Sequence, residues 1–127
     1  MPKLPAPDPD KARKARRRMA KQVIIELRKC CPNAFTYSPV PLKIGVSRDV
    51  VALLADTYSR KVIRRALAFW TGRSVYLEAI ARGGARYDLD GTIAGEVGEE
   101  HERRGRDELA ERARRRRLSS ETPPMGS

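Results

Sequence analysis

The sequence has few of the residues that catalytic and metal sites commonly use. Its 127 residues include one histidine, His101, and two cysteines, Cys30 and Cys31. His101 lies in a charged run, and a general base needs an orienting partner and a cleft, so we expect a solvated helix residue. Adjacent cysteines are poor disulfide partners and offer no second pair for a metal. The sequence therefore predicts no enzyme, no metal site and no cofactor.

Long apolar runs are also missing. No run approaches the roughly 18 apolar residues that a membrane-spanning helix requires. The charged N-terminus lacks the apolar segment of a secretory signal. We expect a protein that does not cross a membrane, keeps its thiols reduced in the cytoplasm and is a monomer by default.

Acidic residues are scarce towards both ends of the chain, whose net charge is +11. Residues 11–21 hold seven basic residues and no acidic one, and residues 103–117 hold eight arginines against three acidic residues. Residues 22–102, in contrast, hold 11 basic and 10 acidic residues. Such basicity indicates a polyanionic partner. Basic arms bind any nucleic acid, so specific binding by the middle segment requires a few well-placed cations.

Apolar periodicity predicts a mostly α-helical, α+β fold with small β-hairpins. Helices are expected at residues 11–31, 48–55, 59–70, 74–81 and 99–118, and disordered ends at 1–10 and 119–127. A short strand is expected at 42–46. A hairpin is expected from strands 86–89 and 92–97, joined by Asp90-Gly91 in a two-residue type I′ turn. We therefore expect a Pro-rich, basic N-terminal arm (1–21), a compact domain (22–102), and an Arg-rich C-terminal helix with a disordered tail (103–127).

The predicted helix over residues 59–70 carries a cluster of cations. They lie opposite an apolar stripe that ends at Trp70, and they are Arg60, Lys61, Arg64 and Arg65. No acidic residue on that helix compensates them at i+4 spacing. The cluster is either a solvated basic face or a nucleic-acid contact.

An aromatic residue follows among further cations. Tyr76 lies near Arg73, Arg82 and Arg86, a combination that suits unpaired RNA because bases stack while phosphates pair with arginine. Tyr76 can equally be a half-buried core residue. Residues 71–74 (TGRS) lead into a predicted helix whose first backbone N–H groups can bind a phosphate.

Five motifs, in order, resemble those of the ProQ/FinO family of RNA-binding domains. Residues 41–46 read PLKIGV, 63–71 read IRRALAFWT, 76–77 read YL, 86–91 read RYDLDG, and 95–101 begin with GEV and end at His101. The resemblance covers about residues 24–101. It implies a single compact FinO-like domain, mostly helical with small hairpins.

The resemblance also implies a function. Members of the family are RNA chaperones that bind terminator-type hairpins with a 3′ single-stranded tail, in small RNAs and mRNA 3′ ends, and act in post-transcriptional regulation. By position, Lys43, Arg64, Tyr76 and Arg86 would line the RNA-binding face. Arg60 would add a phosphate contact, and residues 71–74 would receive the terminal nucleotide.

Two departures from the family pattern bear on these contacts. Val75 and Ala68 stand where basic residues are common in the family, which leaves Arg65 and Arg73 as substitutes. The full set of predicted RNA-binding residues is Lys43, Arg60, Lys61, Arg64, Arg65, Thr71, Gly72, Arg73, Ser74, Tyr76, Arg82 and Arg86. The alternatives are a nonspecific nucleic-acid binder that acts through its arms and a ribosome-associated structural protein.

Overall fold

Five helices and one small sheet make up residues 8–120, the part of the chain that the computed structural model describes. The elements, in chain order, are α1 (Pro9–Cys30), α2 (Val46–Leu54), α3 (Arg60–Thr71), α4 (Ser74–Arg82), β1 (Ala85–Tyr87), β2 (Ile93–Glu96) and α5 (Glu99–Ser120). The predicted mostly helical α+β fold is confirmed. No helix within residues 8–120 is long and apolar enough to cross a membrane.

The ends of the described chain are more helical than predicted. Asp8 caps α1 by accepting a hydrogen bond from the Asp10 amide at 3.0 Å, and Pro9 occupies the first helical position, which suits its missing N–H. Residues 9 and 10 are therefore helical, as are 119 and 120. The remainder of the predicted disordered ends, residues 1–7 and 121–127, lies outside the described residues.

The core forms where α1 and α2 pack against α3. Val23 and Leu27 of α1 and Ile63 of α3 are fully buried. Phe35 packs against Trp70, with ring centroids 5.3 Å apart and planes inclined by 59°. Tilted aromatic pairs of this kind contribute about 0.5–1.5 kcal/mol beyond the area they bury. This core fixes the direction of α3 and leaves its basic face in solvent.

The prediction of a strand over residues 42–46 is wrong. Leu42 alone forms a parallel bridge with Tyr87, supported by a hydrogen bond from the Lys43 amide to the Tyr87 carbonyl at 2.9 Å. The chain then turns at Gly45, whose φ of 84° lies in the left-handed region that glycine adopts readily. Gly45 therefore caps α2, which begins at Val46, two residues before the predicted start at residue 48.

The predicted type I′ turn is also wrong. That turn requires positive φ at both central residues, and in residues 8–120 only glycines have positive φ. The Gly91 amide instead donates to the Asp88 carbonyl at 2.9 Å, and the Asp88 amide donates to the Thr92 carbonyl at 2.8 Å. The result is a three-residue loop, Leu89 to Gly91, with only Gly91 in the left-handed region. Asp90 accepts two hydrogen bonds from Thr92, so its role in turn formation is confirmed.

The last helix packs along α4. Gly105 permits the approach, because a Cβ there would lie 3.1 Å from the Leu77 carbonyl oxygen. Both α1 and α5 continue without a break through the proposed segment boundaries at residues 21/22 and 102/103. The basic stretches 11–21 and 103–117 are thus parts of longer helices that pack on the rest of the domain.

Candidate nucleic-acid interface

A cleft of about 740 Å³ opens where α4, α5 and β1 meet. Its inner wall includes Tyr76 of α4, Arg86 of β1 and His101 of α5. The α5 wall adds one cation and three carboxylates, from Arg104, Asp107, Glu108 and Glu111. The cleft therefore combines a cationic interior with an acidic rim.

Arg86 is a buried cation with 7% of its surface exposed. Its Nη1 donates to the Leu42 carbonyl at 2.7 Å, and its Nη2 lies 3.1 Å from Nδ1 of His101. Its Nε is buried without a partner, and within residues 8–120 no carboxylate lies at ion-pair distance. Buried charges are normally paired, so this guanidinium is suited to receive an anion.

His101 has a different environment from the predicted solvated one. It is half-buried on the first turn of α5 and faces Arg86. A guanidinium has only donors, so Nδ1 of His101 accepts this hydrogen bond and Nε2 carries the ring proton. The sequence did not reveal this contact, because it depends on how α5 packs against β1.

Tyr76 lines the cleft with a ring that is almost fully buried, at 6% exposure. Its hydroxyl accepts a hydrogen bond from the Leu42 amide at 3.1 Å. Burial raises the pKa of the phenol, an effect opposed by the Leu42 amide and by Arg86. Tyr76 is therefore a core residue that also lines the cleft.

Lys43 lies between two carboxylates. Its Nζ is 2.5 Å from Asp49 and 3.3 Å from Asp88. The hydrogen bond to Asp49 is the main reason that the pKa of Lys43 is raised. Its positive charge is thus compensated locally, in the segment directly before α2.

The four cations of α3 line one open surface together with Ala68, on the basic face that the sequence predicts. Arg60 and Arg64 line a groove against α2, together with Arg48. Arg65 also lines a groove against α1. At about 100° per residue, helix geometry separates Arg64 from Arg65 in this way. The basic face of α3 is therefore a ridge that borders a groove on each side.

Residues 71–74 join α3 to α4 in a tight connection. The Gly72 amide donates to the Ala68 carbonyl at 2.9 Å, and the Arg73 guanidinium lies 5.2 Å from the centroid of the Trp70 ring. Among residues 8–120, no side chain caps the first turn of α4. Arg112 of α5 reaches this end and donates to the Ser74 hydroxyl at 3.2 Å.

The structure brings together some of the predicted residues but not all of them. Thr71, Tyr76 and Arg86 line the α4–α5 cleft. Lys43 is not among the lining residues, although it directly follows Leu42, whose carbonyl accepts a hydrogen bond from Arg86. Arg82 is at the end of α4 and lines none of these cavities. Sequence reasoning missed the contributions of α5, namely His101, Arg104 and Arg112, because a helical charge pattern does not show what the helix packs against.

The helical fold with one hairpin matches two solved FinO-like structures. One is a FinO-like RNA chaperone from Neisseria meningitidis, with a TM-score of 0.66 and 25% identity over 84% of this chain and 86% of that one. The other is a ProQ homologue from Legionella pneumophila, with a TM-score of 0.64 and 26% identity over 89% and 91%. The architecture is thus that of FinO-like proteins.

Sequence comparison gives the same result. Residues 17–122 match the ProQ/FINO family, and the chain belongs to it. The RNA chaperone ProQ of Vibrio vulnificus is 35% identical over 96 residues, which are 72% of this chain and 46% of that protein. The chain therefore spans about half the length of this relative. Membership confirms the predicted family and the prediction that the chain is not an enzyme.

Proposed function

We propose that this protein is an RNA chaperone that binds hairpins with an unpaired 3′ tail and acts in post-transcriptional regulation by small RNAs. Family membership and the names of the relatives, RNA chaperones, support RNA as the ligand. The net charge of +11 supports a polyanionic partner. In this proposal the protein acts in the cytoplasm as a monomer on small RNAs and mRNA 3′ hairpins.

The observation that carries the proposal is the buried guanidinium of Arg86, which has no carboxylate partner in residues 8–120. An RNA terminus offers phosphate oxygens for the donors of Arg86, and arginine pairs with phosphate through two parallel hydrogen bonds. The first turn of α4, which no side chain of residues 8–120 caps, offers backbone N–H groups for a second phosphate. We assign the last unpaired nucleotide of the RNA to this cleft.

The hairpin itself is assigned to the ridge of α3. An A-form duplex is recognised by its shape and phosphates rather than by its sequence. The exposed cations Arg60, Lys61 and Arg64 form a row that suits such contacts. The proposed set of RNA-binding residues is completed by Lys43, Arg65, Thr71, Gly72, Arg73, Ser74, Tyr76, Arg82 and Arg86.

A nonspecific nucleic-acid binder is the second candidate, either free or as a ribosome-associated structural protein. The observation that favours it is the run of exposed cations in residues 11–21, where seven basic residues occur without an acidic one. Such a helix would bind phosphates of any sequence or shape. The two candidates differ in whether the free 3′ end of the RNA matters.

The test compares a terminator-type hairpin with its 3′ tail and the same hairpin cut blunt. We expect the wild-type chain to prefer the tailed RNA, and Arg86→Lys to lose about 1.5–3 kcal/mol of that preference, the scale for a hydrogen bond to a charged group. Lysine keeps the charge but not the fork geometry of the guanidinium. Arg103→Lys, an exposed position of α5, is the matched control. Equal affinity of the wild type for both RNAs would support the nonspecific binder instead.

A further inference from the structure

A second basic surface lies in the groove between α1 and α3. It has a volume of about 570 Å³ and shares no lining residue with the α4–α5 cleft. Its lining consists of Arg13, Arg16, Arg17, Ala20, Lys21, Arg65 and Phe69. We call it the α1–α3 groove.

The charge of the α1–α3 groove is of one sign. Its lining includes five cations and no carboxylate, and none of the five has an ion-pair partner within the described ranges of α1 to α5. The α4–α5 cleft, in contrast, has three carboxylates on its rim. Uncompensated cations at such density attract a phosphate backbone and release its counterions.

Phe69 gives this groove an aromatic surface. Its side chain is 52% exposed although it lies on a helix that buries Ala66, Leu67 and Trp70. An exposed ring among cations fits an unpaired base, which can stack on the ring while its phosphates pair with arginines. Bases inside a duplex have no free face for such stacking.

We propose that the α1–α3 groove binds single-stranded RNA. Phe69 stacks on one unpaired base, and Arg13, Arg17 and Arg65 bind the neighbouring phosphates. The volume lies within the range of about 300–1,000 Å³ that is usual for ligand sites. The inference rests on the proposed RNA-binding function, and it adds a contact for an unpaired segment that is separate from the 3′ end.

The chain offers a charge-matched test on one helix. Arg13→Gln/Arg17→Gln removes two charges from the groove, whereas Lys14→Gln/Arg18→Gln removes two charges from exposed positions outside its lining. The probe is an unstructured oligouridine, measured with the full chain at several salt concentrations. We expect the groove variant to reduce the slope of log K against log salt by about 1.4, since each single-strand phosphate contact contributes about 0.7. The control variant should leave the slope nearer the wild-type value, and identical slopes for the two variants would overturn the proposal.

Substitutions of Phe69 test the contribution of stacking separately from that of charge. Phe69→Leu keeps an apolar side chain without an aromatic face, and we expect it to weaken oligouridine binding at least about fivefold, the low end for one stacked base. Phe69→Trp should retain or improve binding. Equal affinities for the leucine and tryptophan variants would overturn the stacking contact.

Two further readouts keep this inference distinct from the proposed function. Groove variants should still prefer the tailed hairpin to the blunt one, since Arg86 is untouched. If the wild type shows no such preference, the proposed 3′-end recognition fails, while the oligouridine comparison still tests the groove. If groove variants lose binding to phosphatidylglycerol vesicles but bind oligouridine as the wild type does, the groove recognises a membrane surface and the RNA assignment is wrong.

Discussion

The guanidinium of Arg86 donates a hydrogen bond to the backbone carbonyl of Leu42, 2.7 Å away and 44 positions earlier in the chain. The amide of the same residue, Leu42, donates to the hydroxyl of Tyr76. Leu42 is 1% exposed, so both of its backbone groups depend on these side chains for their hydrogen bonds. Two residues of the proposed RNA site therefore also hold the 41–46 segment in place.

Removal of the Arg86 donor should destabilise the fold. In Arg86→Met the buried Leu42 carbonyl loses its partner, which we expect to lower the free energy of unfolding by about 1–3 kcal/mol. Arg86→Lys should lose less, because an ammonium group can still donate to the carbonyl. Urea denaturation measures both. Arg103→Met, at an exposed position, should stay within about 0.5 kcal/mol of the wild type. An Arg86→Met variant as stable as this control would contradict the structural role.

Tyr76 should titrate at a higher pH than an ordinary phenol. Burial raises the pKa of its phenol in the folded state. The folded state therefore favours the protonated form, and this contribution to stability is fully present below pH ~10 and is lost as the pH rises through the folded pKa. An absorbance titration of phenolate should show a late component that Tyr76→Phe abolishes. A phenolate titration whose late part is unchanged in Tyr76→Phe would contradict the burial.

Lys43 should influence RNA binding through the carboxylates beside it. With Lys43→Ala, Asp49 and Asp88 lose their compensating charge, and we expect hairpin affinity to fall several-fold because two anions then repel the RNA. The double variant Lys43→Ala/Asp49→Asn should recover part of the loss. Filter binding at low and moderate salt measures both variants. If the double variant binds no better than Lys43→Ala, Lys43 contacts RNA directly.

Gly91 should not tolerate a side chain. Its φ is 88°, and a Cβ there would lie 2.6 Å from Cβ of Asn33. We expect Gly91→Ala to lower the free energy of unfolding by at least about 1–2 kcal/mol, the cost of the left-handed conformation for other residues. Gly98→Ala is the control, since a Cβ there would meet no atom of residues 8–120 within 4 Å and its φ is not positive. Similar stabilities of the two variants in chemical denaturation would exclude this strain.

A helix could be predicted where its own sequence carries both an apolar stripe and an N-capping residue. Ser59 caps α3 through the Val62 amide, and the apolar stripe that ends at Trp70 is buried as expected. The strand at 42–46 could not be distinguished from extended loop, because alternation over five residues does not reveal that Gly45 turns the chain. The hairpin loop could not be assigned correctly, because an Asp-Gly pair is typical of a type I′ turn. In the structure the φ of Asp90 is not positive, and Gly91 is the loop residue in the left-handed region.

The sequence predicted residues of the candidate site better than it predicted how they are arranged. Arg86 and Tyr76 do line one cleft. The acidic rim, the contact with His101 and the compensation of Lys43 depend on side chains that meet only through tertiary packing. The grooves that border the basic face of α3 likewise depend on where α1 and α2 cross that helix.

The ion pairs of α5 give the two basic stretches of this protein unequal long-range fields. Arg104, Arg112 and Arg114 each pair with a glutamate within α5, whereas within residues 8–120 the cations of α1 have no such partners. At distances beyond these pairs, the field of the molecule is therefore dominated by α1. A diffusing RNA would be oriented by α1 before any part of it reached the cleft, so α1 should govern how fast encounters occur and the cleft how long they last.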